Sequence, residues 1–299
     1  MTLLLVDSAS LWYRAYYGMP DTLVSPDGTP VNAIRGFLDM TARLITQYQP
    51  DRIVACLEGD WRPTWRTDLF PGYKANRVDE EGEEDEPDTL APQIPLLLDI
   101  LDLFGMPMVG VDDYEADDLI ATYSKNEPGP TFIVTGDRDL FQLVDDRRKV
   151  KVIYLAKGFS AQEVVDLNWV SQKYGIPGER YALFAMIRGD ASDGLPGVRG
   201  IGEKGAAVIA NVFETIEGAL AAAHNEDDRL TPLLRKRLIE GSEYIAIAPT
   251  LVHCALDVPL PKMELKVPKA PKDLSDIYAF KDKYGLGASV DRLISALGW

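Results

Sequence analysis

The chain has two cysteines and two histidines in 299 residues, fewer basic than acidic side chains, and no uninterrupted apolar stretch approaching the ~18 residues of a membrane-crossing helix. Each shortage removes a class of explanation. Cys56 and Cys254 lie far apart, each inside an apolar run, so core packing is expected rather than a disulfide framework or a thiol mechanism. His224 and His253 stand in ordinary contexts, which disfavours zinc. The opening MTLLLVDSAS has neither a basic leader nor a small-residue cleavage site, which predicts a cytoplasmic protein without membrane association. With 31 basic against 47 acidic residues, the formal charge of −16 weighs against a polyanionic partner.

Part of that excess is local. Residues 79 to 88, DEEGEEDEPD, are expected to form a partly disordered stretch with its acids facing solvent. Other acids count as bare negatives only until a metal completes them. At 46% hydrophobic, the chain can bury one large core or two modest ones.

Strand-length apolar runs occur at Leu3 to Val6, Ile53 to Leu57, Thr131 to Thr135 and Val150 to Leu155, with helix-period segments between them. Such alternation predicts a parallel α/β sheet covered on both faces. The first three runs end directly in acid: Asp7, then Glu58 and Asp60, then Asp137 and Asp139. One Asp after a strand is ordinarily a turn former or helix cap. Three consecutive cases are different, because parallel strands bring their C-terminal ends to one crevice.

Two further groups join them. In YEADDLI, Glu115, Asp117 and Asp118 open a predicted helix, and three acids in four residues repel one another unless a cation lies between them. In IRGDASDGLPG, Asp190 and Asp193 stand in a loop whose plainest reading is a pair of Asx turns. A set of hard oxygen ligands suits Mg²⁺ or Mn²⁺. Paired ions about 4 Å apart activate water and stabilise the leaving oxygen in phosphoryl chemistry.

The strings LLVDSASLWYR, PTWRTDLFPGYKANR, YEADDLIATYS, IVTGDRDLFQLV and IRGDASDGLPGVRGIGEKGA, in that order, resemble the flap endonuclease and 5′-exonuclease family. That family includes the nuclease portion of bacterial DNA polymerase I and phage 5′ nucleases. The motifs span Asp7 to about Ala206, roughly two thirds of the chain. The resemblance implies an α/β, PIN-like core over residues 1–170 with a helical arch at about 66–100, then a helical C-terminal domain over 171–299. A helix-three-turn-helix element would lie within about 186–213. It also implies one metal site from Asp7, the Glu58/Asp60 strand end, Glu115, Asp117 and Asp137, and another from Asp139, Asp190 and Asp193, with Asp118 supporting. Where the family has a Phe-Asp pair this chain has Leu57-Glu58-Gly59-Asp60; register favours Glu58, and spacing to Trp65-Arg66 permits either.

Lys74 and Arg77, three apart, would share one face of a short helix, and with Arg66 they match family positions that hold phosphates. Gly197, Gly200 and Gly202 allow a tight turn whose exposed N–H groups can hold a phosphate. The resemblance adds a backbone contact from Lys204 and a K⁺ at the turn carbonyls. It implies a monomeric, Mg²⁺- or Mn²⁺-dependent 5′–3′ exonuclease and flap endonuclease of replication and repair. The substrate would be DNA with 5′ flaps, nicks or ends, including 5′ strands that carry RNA. A non-catalytic DNA-junction module and a PIN-type ribonuclease are the alternatives. Asp7 is followed by Ser8 and Ala9, so an aspartyl phosphatase lacks its second acid, and a small ribonuclease has no need of the element from Gly194 to Lys204.

Overall fold

In a computed structural model, residues 1–78, 82, 84 and 86–299 are described; the remaining members of the acidic stretch lie outside them. Elements follow the order β1 (Leu3–Asp7), α1 (Ser8–Gly18), α2 (Asn32–Tyr48), β2 (Arg52–Cys56), α3 (Thr64–Leu69), α4 (Gln93–Leu103), β3 (Met108–Val109) and α5 (Ala116–Asn126). Then come β4 (Thr131–Thr135), β5 (Val150–Tyr154), β6 (Glu163–Val165), α6 (Leu167–Tyr174), α7 (Tyr181–Arg188) and α8 (Glu203–Val212). The chain closes with α9 (Ile216–His224), α10 (Pro232–Glu240), α11 (Ser242–Val252), α12 (Leu274–Lys283) and α13 (Ala288–Leu297).

The six strands form one sheet in the order β3-β2-β1-β4-β5-β6, parallel except for β6. Every residue of β1 and β2 is buried, as expected of strands covered on both faces. From β1 the chain moves outward to β2 and β3, then returns to the other side of β1 for β4. A crevice therefore opens between β1 and β4 at their C-terminal ends. Asp7 ends β1, and Gly136-Asp137 follow β4 directly.

Alternation along β1 divides the core: Leu4 and Val6 pack with Leu11, Phe37, Leu97 and Val290, while Leu3 and Leu5 pack with Leu119, Phe184 and Ile209. The helices after residue 171 are distributed over both faces. Helices α7 to α11 build on the α5 side, whereas α13 packs against α2 on the opposite one. The connecting segment crosses the start of β2: the Ile53 N–H donates to the Leu265 carbonyl at 2.8 Å, and the Val267 N–H to the Asp51 carbonyl at 3.1 Å. Bidentate bonds of 2.8 Å from Arg292 to Asp39 fasten the returned helix.

No single helix among the described residues is long and apolar enough to cross a membrane. Both cysteines are buried and free, as core packing predicts.

Candidate active site

A cleft of about 830 Å³ opens over the β1/β4 crevice, lined by Asp7, Glu58, Asp60, Glu115, Asp117, Asp137 and Asp190 and by Lys74, Arg77 and Arg138. The backbone explains the convergence. Asp7 is both the last residue of β1 and the N-cap of α1, taking the Ser10 N–H at 3.1 Å on one oxygen and the Thr135 hydroxyl at 2.6 Å on the other. Asp137 accepts the Asp139 N–H at 2.8 Å, which turns the chain sharply after β4. Glu115 and Asp118 cap α5 reciprocally. Asp117, between them, receives no hydrogen bond on its carboxylate among the described residues.

These acids share a poorly solvated space. Burial pushes the Asp7 carboxyl up to about 6 against the pull of Thr135 and Ser10, with Asp137 adding repulsion. Burial also pushes Glu58 up to about 8, opposed by Lys74 and reinforced by Glu115 and Asp7. Asp117 is held well above the usual carboxylate range by burial and by Asp7, Asp137 and Glu58, and Asp139 by burial and by Asp137, Asp193 and Asp190. Asp139 Oδ1 is buried without a hydrogen-bond partner. As they stand, no three His, Cys, Asp or Glu side chains among the described residues are already gathered as a ligand set. An oxygen-only set of crowded, under-solvated carboxylates, one with an orphaned atom, nevertheless fits hard divalent cations, which relieve the repulsion that holds it apart.

At the second strand end, Glu58 takes the Ala116 N–H at 2.8 Å and repels Asp117. Asp60 also lines the cleft, but one oxygen is engaged by the Arg62 N–H at 2.9 Å.

Three expectations are corrected. Arg66 does not reach the cleft. It is 3% exposed, forms bidentate bonds of 2.8 and 2.7 Å with Asp118, and lies 3.5 Å from Glu115. Asp118, itself wholly buried, also takes the Ala255 N–H at 2.7 Å. Two charges buried this deeply are paired with each other, so this couple supports the wall behind the cleft. Lys74 and Arg77 do not share a helix face. Lys74 has a left-handed φ of 49° and precedes a single 3₁₀ turn, Ala75–Arg77. Its ammonium, 3.0 Å from Glu115, points into the cleft, whereas Arg77 reaches Asp193 at 2.6 Å. Thirdly, the acidic stretch does not face solvent throughout. Glu84 and Glu86 line the cleft, because Lys74 and Arg77 attract Glu84 and the Tyr13 hydroxyl donates to Glu86 at 3.4 Å.

Asp190 and Asp193 are both buried, and Asp190 is paired with Arg138 at 2.6 Å. Burial works to raise Asp190, but the Ser192 and Arg138 hydrogen bonds outweigh it and hold its carboxyl low. Between α7 and α8 the turn depends on Gly197, φ +63°, where a Cβ would meet the Arg188 backbone at 2.6 Å. Gly200 is also left-handed, at φ +82°. Gly202 is not needed in the same way: its φ is −87°, and an added Cβ meets nothing within 4 Å. Lys204 is exposed in the first turn of α8.

Sequence reading missed Arg138, Arg188, Tyr73 and Tyr13. Tyr73 donates its hydroxyl to Glu115 at 2.9 Å, orienting the carboxylate that holds Lys74. The available signals were faint: an arginine between two acids in GDRD, and another two residues before Asp190.

Comparison with known proteins agrees with this architecture. Residues 2–175 match the 5′-3′ exonuclease N-terminal resolvase-like domain, and residues 176–273 the 5′-3′ exonuclease C-terminal SAM fold. A 5′-3′ exonuclease of Streptomyces coelicolor is 50% identical, covering 98% of this chain and 99% of its own length. One from Mycobacterium tuberculosis is 40% identical over 99% and 97%. Among solved structures, the bacteriophage T5 D15 flap endonuclease in a pseudo-enzyme-product complex with DNA and metal ions aligns with a TM-score of 0.64. It covers the whole of both chains at 17% identity, which speaks to the fold. A sheet that gathers its acids at β1 and β4, two domain matches in sequence order and a full-length relative at 50% identity together make this chain a member of the 5′-3′ exonuclease family.

Proposed function

We propose that this chain is a divalent-metal-dependent 5′ nuclease that hydrolyses DNA phosphodiesters at 5′ ends, nicks and flaps, including 5′ strands that carry RNA. The observation that carries the reading is the crowd of buried acids at the sheet's C-terminal edge, with Asp7 and Glu58 pushed up to about 6 and about 8 and Asp139 Oδ1 orphaned. Carboxylates under such strain are stable as a site only when cations join them.

In this reading Asp7, Glu58, Asp117 and Asp137 hold one Mg²⁺ or Mn²⁺, and Asp139, Asp190 and Asp193 a second. Bound ions would supply a nucleophile from water at neutral pH and stabilise charge on the leaving oxygen. Lys74 stays charged, because Glu115, Asp193 and Glu58 outweigh the effect of its burial, and so offers a fixed cation to the scissile phosphate. Glu115, steadied by Tyr73 and Arg66, keeps that ammonium in place. The Asp118–Arg66 couple holds the wall behind them.

Residues Gly197 to Lys204 would grip duplex backbone without reading bases, with K⁺ at the turn carbonyls, and so set the distance from junction to cleavage point. We read the division as a nuclease core to about residue 170 and a helical DNA-gripping unit beyond it, with α12 and α13 returning to brace the core. The protein would act as a monomer in the cytoplasm. Incubation of 5′-labelled flap, nicked and single-stranded substrates with Mg²⁺, with Mn²⁺ and with chelator tests the proposal. Short products from nicked ends and junction-length products from flaps support it, whereas equal binding without cleavage in either metal would leave only a junction-binding module.

A further inference from the structure

The two halves of the acidic cluster are neutralised differently. Asp7, Glu58 and Asp117 make no ion pair among the described residues, whereas around Asp139, Asp190 and Asp193 stand three arginines. Arg77 pairs with Asp193 at 2.6 Å, Arg138 with Asp190 at 2.6 Å, and Arg188 lies 3.5 Å from the same Asp190 oxygen. Three guanidiniums thus stand beside three carboxylates in this half, although burial and neighbouring acids still raise Asp139 and Asp193.

Arg138 and Arg188 are held in opposite ways. Arg188 is fixed: its Nε donates to the Gly189 carbonyl at 3.1 Å, its guanidinium lies 5.2 Å from the Phe184 ring centroid, and its side chain is only 11% exposed. Its Nη2 is buried without a hydrogen-bond partner, as is Asp139 Oδ1, and Arg188 is the charge that pulls Asp139 down. Arg138 is 42% exposed, lines the cleft, and has Asp190 as its ion-pair partner. Of the two, Arg138 alone can leave without disturbing packing.

We propose that, beside the Arg77–Asp193 pair, Arg138 and Arg188 are the resident counter-cations of Asp190 and Asp139. A divalent ion then reaches the Asp190 carboxylate only by releasing Arg138 from it, and the freed guanidinium turns into the cleft to take a substrate phosphodiester. Arg188 remains as a fixed positioning charge that keeps affinity for the second ion low until phosphate arrives. Occupation by metal and binding of the phosphate backbone are thereby coupled through one side chain, and each promotes the other. The inference rests on the metal-dependent reading above.

Binding of Mn²⁺ to the full-length protein, followed by the electron paramagnetic resonance signal of the free ion without DNA, tests it. Wild type should bind one Mn²⁺ tightly and a second weakly. Arg138→Met and Arg188→Met should each tighten the weaker site about tenfold, because a like charge a few ångströms away has gone. Arg188→Lys, which keeps the charge, should stay close to wild type, separating the effect from a packing defect. Addition of an uncleavable phosphorothioate oligonucleotide should tighten the second site in wild type and not in Arg138→Met. Equal second-site affinity in wild type and both methionine variants would overturn the inference while leaving the metal-dependent reading intact. Absence of any Mn²⁺ binding to wild type would overturn both.

Discussion

The Asp7–Glu58–Asp117 side of the cleft and the Asp139–Asp190–Asp193 side contain the same kind of residue in different electrostatic states. On the first side, burial and mutual repulsion leave carboxyls raised, to about 6 at Asp7 and about 8 at Glu58. On the second, guanidiniums pair Asp190 and Asp193 and Asp190 is held low, while burial still raises Asp139 and Asp193. The first has no ion-pair partner among the described residues, and the second has arginines paired with two of its three acids. A count of acids therefore says little about a site; the location of the compensating charge decides which carboxylates await a cation.

Replacement of Asp117 by Asn should have the largest effect. It removes an oxygen donor from the strained side, and cleavage should fall at least ~10³-fold, with DNA affinity changed only a few-fold in a gel-shift titration. Cleavage at wild-type rate would break the comparison at once.

The two sides should next differ in the sign of their stability effects when metal is absent. Asp190→Asn leaves Arg138 and Arg188 without their shared carboxylate and should cost about 1–3 kcal/mol in urea unfolding. Asp117→Asn relieves repulsion and should raise the melting temperature of the metal-free protein by about 2–4 °C at pH 8. Equal signs would erase the distinction.

Acidity sharpens it further. Between about 4.5 and about 8, folded Glu58 keeps a proton that the unfolded chain has released, so its contribution makes the metal-free protein less stable as pH rises. Thermal melts across that window should fall with pH, less steeply in Glu58→Gln. Asp190 behaves oppositely: its depressed carboxyl contributes stability above its ordinary value of 3.8 that is lost as pH falls below it. The smallest effect belongs to neither side. Lys204→Ala should weaken duplex binding a few-fold and lower the salt-dependence slope by about 1, with cleavage at saturating DNA unchanged.

Much of this arrangement was legible in the sequence because it is carried by local pattern. Apolar runs ending in Asp7 and Asp137 reveal strand ends, and the spacing in YEADD reveals a helix start, since both depend on residues a few positions apart. What escaped depends on partners distant along the chain. Arg66 is claimed by Asp118, a carboxylate that the Ala255 N–H also holds, so a cation that looked available is buried. Lys74 takes a left-handed φ that its residue type does not announce, and this single angle turns a supposed helix face into a buried ammonium. Likewise, the acids at Glu84 and Glu86 read as solvated until Tyr13 and Lys74 stood across from them. The return of α13 to α2 could not be read from its own amphipathic pattern, which fits either face of the sheet.

The most direct test of the central claim is cleavage of a 5′-labelled flap duplex by the wild-type protein at pH 8, with Mg²⁺ and with excess chelator. A labelled product ending near the junction in Mg²⁺, absent with chelator and restored by added Mn²⁺, is the predicted result. Cleavage that persists undiminished in chelator, or its absence with every divalent ion supplied, would contradict the account.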